Sequence, residues 1–252
     1  AIAGGLAGAS YGGRTVFTLA VLVLQIVAVL GWLAVLDPAG SFGAFVVAMG
    51  AAVAGDLLLL RESGAEIGRL AGVFGLAVLA ALVHQLSRRP RPRVTESLSG
   101  TLSAVVLVIA AASLVGLHGG RGGTQAASVG LIATGAGLLV ARVVDRVARG
   151  LPSVRGGTRG WPGLVAGAAL AGVIGALYGS MAPPLSSRSG LIIGLATGAV
   201  ALLADLGLDL VAGALRDSAL DRQRNALTPV GAFIPIVVAA PAAYVAGRIL
   251  LG

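Results

Sequence analysis

The sequence contains no cysteine, and its basic residues, 18 in 252, are all arginine. The first absence excludes disulfides, thiolate nucleophiles and thiolate metal sites. The lack of lysine excludes Schiff-base chemistry and a phosphate-gripping ammonium. Charge is scarce: 11% of residues carry it, against about 25% in soluble domains. Only two histidines occur, His84 and His118, too few for a transition-metal cluster. Serine, histidine and acid never assemble at a spacing that favours a hydrolase triad. The opening AIAGGLAGAS lacks a methionine and a basic n-region, so a trimmed or processed chain is expected.

What is abundant is hydrocarbon. Hydrophobic residues make up 57% of the chain and the mean hydropathy is +0.97. Runs of about 20 apolar residues cross a bilayer as helices, and eight are expected near 15–36, 41–60, 69–87, 98–118, 125–144, 161–182, 189–214 and 229–250. The reading is all-α: a polytopic integral membrane helix bundle of about eight transmembrane helices. It forms a single transmembrane domain over 1–252, with 1–14 as a flexible N-terminal segment. Polar punctuation separates the spans, as in DPAG at 37–40, SRRPRPRVTE at 87–96 and HGGRGG at 118–123. HGGRGG lacks the G-K-[ST] ending of a phosphate-binding loop and follows no strand, so it reads as a connector.

The net charge of +8 reflects topology rather than nucleic acid, because the arginines are scattered between apolar spans. Twelve of them flank the far ends of spans one, three, five and seven, and six flank the other ends. By the positive-inside rule the 87–97, 145–160 and 215–228 loops face the cytoplasm. Eight spans leave both termini outside, and a ninth before Ala1 would return the N-terminus inside.

Three features break the apolar pattern. Asp205 and Asp209 lie one helical turn apart within SGLIIGLATGAVALLADLGLDLVAGAL, so both point to one face. Carboxylates at bilayer depth are costly and usually face a bundle interior, where they serve an ion, a ligand or a partner. They are the expected metal site, since Mg²⁺ takes one or two carboxylates plus phosphate oxygens. The plainer alternative is a structural ion pair with an arginine from a neighbouring helix. Next, Arg142, Arg146 and Arg149 continue span five as a basic stripe. With Arg155, Arg159 and Arg216 they are the candidates for holding lipid or other phosphate. The plainer reading is nonspecific contact with anionic headgroups. Finally, Pro229, Pro235 and Pro241 in span eight free backbone carbonyls and are expected to kink it. If the three features meet, they enclose a polar pocket. Gln25 and Asp56 are expected to be hydrogen bonders between helices.

Four stretches carry a family resemblance: HQLSRRPRPRVTESLSGTLSAVVLVI, ATGAGLLVARVVDR, GGTRGWPGLVAGAALAGVIGALYG, and LLADLGLDLVAGALRD with VVAAPAAYVAGRIL. In order and spacing, roughly over residues 40–250, they resemble the phosphatidate cytidylyltransferases, the polytopic CDP-diacylglycerol synthases. The resemblance implies that family's fold and a site on the cytoplasmic side. It also implies that Asp205 or Asp209 matches a metal-site acid. Ala133 stands where the family has an acid, Gly-Trp-Pro-Gly replaces its Glu-Gly motif, and its terminal acidic cluster falls on VGAFIPIV.

The expected protein is therefore a synthase-like membrane protein with a degraded active site in a bacterial plasma membrane. It would bind anionic lipid and serve as a noncatalytic subunit or scaffold beside another membrane protein, without nucleic acid. A working Mg²⁺-dependent cytidylyltransferase is the first competitor. The second is a small-solute or lipid transporter that uses Asp205 and Asp209.

Overall fold

A computed structural model of the chain describes residues 1–61, 67–89, 93–147, 159–216 and 221–251, with side chains outside 214–229. Among the described residues there is no strand, and nine α-helices follow in order. They are α1 (Ile2–Ser10), α2 (Arg14–Leu36), α3 (Ser41–Arg61), α4 (Leu70–Ser87), α5 (Val94–His118), α6 (Gly123–Val147), α7 (Trp161–Met181), α8 (Ser187–Arg216) and α9 (Asp221–Leu251). A 3₁₀ turn, Ile67–Arg69, leads into α4. All but α1 are long and apolar enough to cross a membrane, so the chain is a multi-pass membrane protein.

Local chemistry sets the breaks. Helix α2 stops where Asp37 adopts a left-handed conformation (φ 43°) ahead of Pro38, and a helix disfavours the residue before proline. Helix α7 starts from an extended Gly160, with Pro162 in the first turn. There its missing N–H has no helical partner to lose. The C-terminal ends of α2, α4, α6 and α8 lie at one end of the bundle, where Arg88 reaches the Ala39 carbonyl and Arg142 the Gly231 carbonyl. This is the arginine-rich end.

Helices α5, α6 and α9 form the interior, with α5 buried over 72% of its most apolar stretch and α4 over 17%. Without a hydrophobic drive between helices in lipid, close backbone approach supplies the packing. A Cβ on Gly137 of α6 would stand 2.8 Å from the Gly167 carbonyl of α7, and one on Gly167 would stand 2.7 Å from the Gly137 carbonyl. On the next seam, a Cβ on Gly179 of α7 would lie 2.8 Å from the Gly190 Cα of α8. Side chains at these positions would push α6, α7 and α8 apart.

Residues 1–14, expected as a flexible N-terminal segment, contain helix α1, whose residues 2–10 pack against α6. Ala3, Leu6, Ala7 and Ser10 are buried, and a Cβ on Gly135 would sit 2.8 Å from the Ala3 Cβ. Small residues let the two backbones approach without a long apolar run, the signal on which span counting relies. The other end of α1 is tied down: His118 Nε2 meets the Ser10 carbonyl at 2.8 Å, and Tyr11 Oη shares hydrogen bonds with Ser128 and Tyr178. Helix α9 runs continuously through Pro229, Pro235 and Pro241. Its prolines remove N–H donors without ending the helix.

Candidate functional site

Three helices and one loop converge at the arginine-rich end. Helix α6 carries Arg142, Asp145 and Arg146 on its last turns, and α8 brings Asp205 and Asp209. Residues 159–160 enter just before α7, and α9 contributes the Gly231 carbonyl. Pro235 has no N–H, so the carbonyl four residues earlier, that of Gly231, loses its helical donor. Arg142 Nη2 donates to that oxygen at 2.9 Å.

The same Nη2 donates to Asp205 Oδ1 at 3.0 Å. Asp205 Oδ2 is held by Arg159 Nη2. Arg159 Nη1 reaches Asp145 Oδ2 at 3.1 Å, so this guanidinium bridges α6 and α8. The backbone follows the side chain: Arg159 N–H donates to Asp209 Oδ2 at 3.0 Å and Gly160 N–H to Asp145 Oδ1 at 3.1 Å. Asp145 thus lies at the N-terminus of α7, where the helix dipole favours an anion. Gly163 makes the room. A Cβ there would come within 2.8 Å of the Ala141 carbonyl and run into the Asp145 carboxylate.

Exposure divides the cluster. The Arg159, Asp145 and Asp205 side chains are 12%, 9% and 6% exposed, whereas Arg142 is 43% exposed. Desolvated charges at this depth persist because each is paired and hydrogen-bonded, and deleting one partner strands the other. Arg142 is the member that reaches outward. Among the described residues only its Nη2 has protein partners, which leaves Nε and Nη1 unused. Beside it lies a cavity of about 370 Å³ between α1, α6 and α9, walled by Ile2, Ala3, Ile132, Leu139 and Ile236, with Arg142 and Gly231 also on its lining.

Of the expected site residues, Asp205, Asp209, Arg142 and Arg159 come together. Arg146 is exposed one turn beyond Arg142. Arg149 and Arg155 lie outside the described residues, as does the side chain of Arg216, the last residue of α8. Among the described residues no group of three or more His, Asp or Glu side chains is placed to hold a metal ion. Both oxygens of Asp205 are already engaged by guanidinium groups, so a cation bound there has to displace Arg142 or Arg159. Asp145, Gly160 and the Gly231 carbonyl were not singled out from the sequence. The spacing Arg142-x-x-Asp145 and the carbonyl upstream of Pro235 were the available signals, since one places an acid beside the stripe and the other an unpaired acceptor at the same depth.

These features define a class: a polytopic helical membrane protein with a buried ion-pair network at one end. Comparison with known proteins finds no matching family model and no matching curated protein.

Proposed function

We propose that this protein is a noncatalytic, lipid-binding membrane protein. It presents Arg142 to the phosphate of an anionic lipid whose acyl chain lies in the adjoining groove. The carrying observation is that juxtaposition: a guanidinium with unused donors on the lining of an apolar cavity of about 370 Å³. Arginine suits the task because its planar fork can hold the phosphate on one side while Nη2 remains on Asp205. In this reading Arg159 and the three carboxylates act as a scaffold that fixes Arg142. Arg146, Arg149, Arg155 and Arg216 supply a less specific attraction for anionic headgroups.

The arginine-rich end faces the cytoplasm of a bacterial plasma membrane, by the positive-inside rule. The protein then serves as a subunit or scaffold beside another membrane protein that acts on lipid. Support for a noncatalytic role comes from the occupied acids. Cytidylyl transfer between two phosphates relies on divalent ions to offset developing charge, and here guanidinium groups already hold Asp205. The departures from the synthase motifs at Ala133 and Gly160–Gly163 point the same way.

The test is lipid retention. Protein extracted gently from its native membrane is expected to carry phosphatidate or phosphatidylglycerol in preference to phosphatidylcholine, and Arg142→Ala to lose that preference while remaining folded. Equal retention of neutral lipid, or an unchanged preference in Arg142→Ala, overturns the reading. Conversion of phosphatidate with CTP and Mg²⁺ that disappears in Asp209→Asn establishes the transferase instead.

A further inference from the structure

A second polar cluster lies in the other half of the bundle, between α2, α3 and α5, and it is built without arginine. Gln25 of α2 is fully buried and Asp56 of α3 is 3% exposed. Gln25 Nε2 donates to the Val108 carbonyl of α5 at 3.0 Å and to Asp56 Oδ1 at 3.3 Å, which uses both of its N–H bonds. Val108 offers only an acceptor, so it fixes which way the amide points. Two buried oxygens then have no hydrogen-bond partner, Gln25 Oε1 and Asp56 Oδ2. They belong to the same two side chains, one on each.

Both atoms are acceptors if Asp56 is ionised, and neither can help the other. An anion would then sit among apolar helices with one long hydrogen bond for compensation, the least favourable way to bury a carboxyl group. A single added proton on Asp56 Oδ2 would turn an acceptor into a donor for Gln25 Oε1, while Nε2–H continues to donate to Oδ1. The pair would then be neutral with both orphaned oxygens satisfied, as buried polar groups generally are.

We propose that Gln25 and Asp56 form a proton-binding site that holds one proton between Asp56 Oδ2 and Gln25 Oε1. The balance is simple: one carboxylate and one proton give one carboxylic acid, with no other group consumed. A hard divalent cation calls for six or more oxygens, and this cluster supplies far fewer.

Charged groups on the packed elements do not replace the proton. On α2, Arg14 donates to the Leu59 carbonyl, one turn beyond Asp56. On α5, His118 Nε2 is placed between the Ser10 carbonyl and Thr124 Oγ1. His84 of α4 lies over Gly43 at the far end of α3. Arg69 precedes α4, and Arg61 ends α3 in an exposed position. Among the described residues, Gln25 is the sole hydrogen-bond partner of Asp56. The site shares no residue with the lipid-binding reading, so either can fail alone.

Infrared spectroscopy reads the proton directly. In lipid at neutral pH, protein labelled with ¹³C at the aspartate carboxyl should show the carbonyl stretch of one un-ionised acid, moved by the isotope. The band should vanish in Asp56→Asn, lose its isotope shift in Asp56→Glu, and change frequency in Gln25→Leu, which removes the acceptor. Asp56→Asn should also melt within about 3 °C of the parent, because its N–H replaces the O–H. Wild-type spectra with only ionised aspartate overturn the proposal, as does a band that survives Asp56→Asn unchanged. A sodium-specific rise in melting temperature at fixed ionic strength, abolished in Asp56→Asn, would overturn it in favour of a metal-ion site.

Discussion

Asp205 and Asp56 are both aspartates within membrane-spanning helices, 5% and 3% exposed, yet their surroundings have opposite chemistry. Asp205 lies between two guanidinium groups and shares one of them with Asp145. Asp56 has one carboxamide beside it and no guanidinium hydrogen-bonded to it among the described residues. The same side chain is held by guanidinium groups where the bundle end can bring arginines to it, and by a carboxamide where only helices surround it. Burial alone therefore says little about what an intramembrane acid does; the neighbouring donors decide.

The largest effect should come from breaking the ionic side. Arg159→Leu leaves Asp145 and Asp205 short of a partner and should destabilise the fold by about 3–5 kcal/mol, read by denaturation in mixed micelles. Asp205→Asn should approach that value, whereas Asp56→Asn should change stability by less than about 1 kcal/mol, the isosteric swap in a neutral pair. If the two asparagine variants cost the same, the contrast between the regions fails. Gly137→Leu forces a side chain against the Gly167 carbonyl and separates α6, which carries Asp145, from α7, into which residues 159–160 lead. A loss of about 1–3 kcal/mol is expected, together with weaker lipid retention if the network positions Arg142. Pro235→Ala restores an N–H that competes with Arg142 for the Gly231 carbonyl. Its net effect should stay within about 1 kcal/mol and sharpens the contrast by showing whether that carbonyl anchors the guanidinium. Least of all, Glu96→Ala, at an exposed pair with Arg93, should shift stability by less than about 0.5 kcal/mol.

The spans were readable because crossing hydrocarbon requires a length of apolar chain that nothing else in a sequence imitates. Helix α5 nonetheless begins at Val94, ahead of the expected 98, because Thr95, Glu96 and Ser97 are polar enough to look like loop. Gln85 Nε2 donates to Ser97 Oγ at 2.6 Å, and that hydroxyl donates to the Ala39 carbonyl at 2.5 Å. Those contacts absorb Ser97, while Thr95 and Glu96 stay exposed on the first turn. Helix α1 was hidden for the converse reason: nine residues rich in glycine and alanine look like linker until Gly135 is known to face Ala3. At the candidate site the acids and arginines were visible as types, but their pairing was not. Arg159 seemed one arginine among many in a basic loop, and its buried bridge between α6 and α8 depends on contacts 14 and 46 residues away.

Composition and periodicity alone determined that this chain belongs in a bilayer, which segments cross it, and at which end the arginines gather. Each follows from transfer free energy summed over one local segment at a time. Tertiary structure decided which charge meets which, because an ion pair depends on distances between helices. It joined Arg159 to two carboxylates, directed Arg142 to the carbonyl that Pro235 leaves free, and set Asp56 beside a carboxamide.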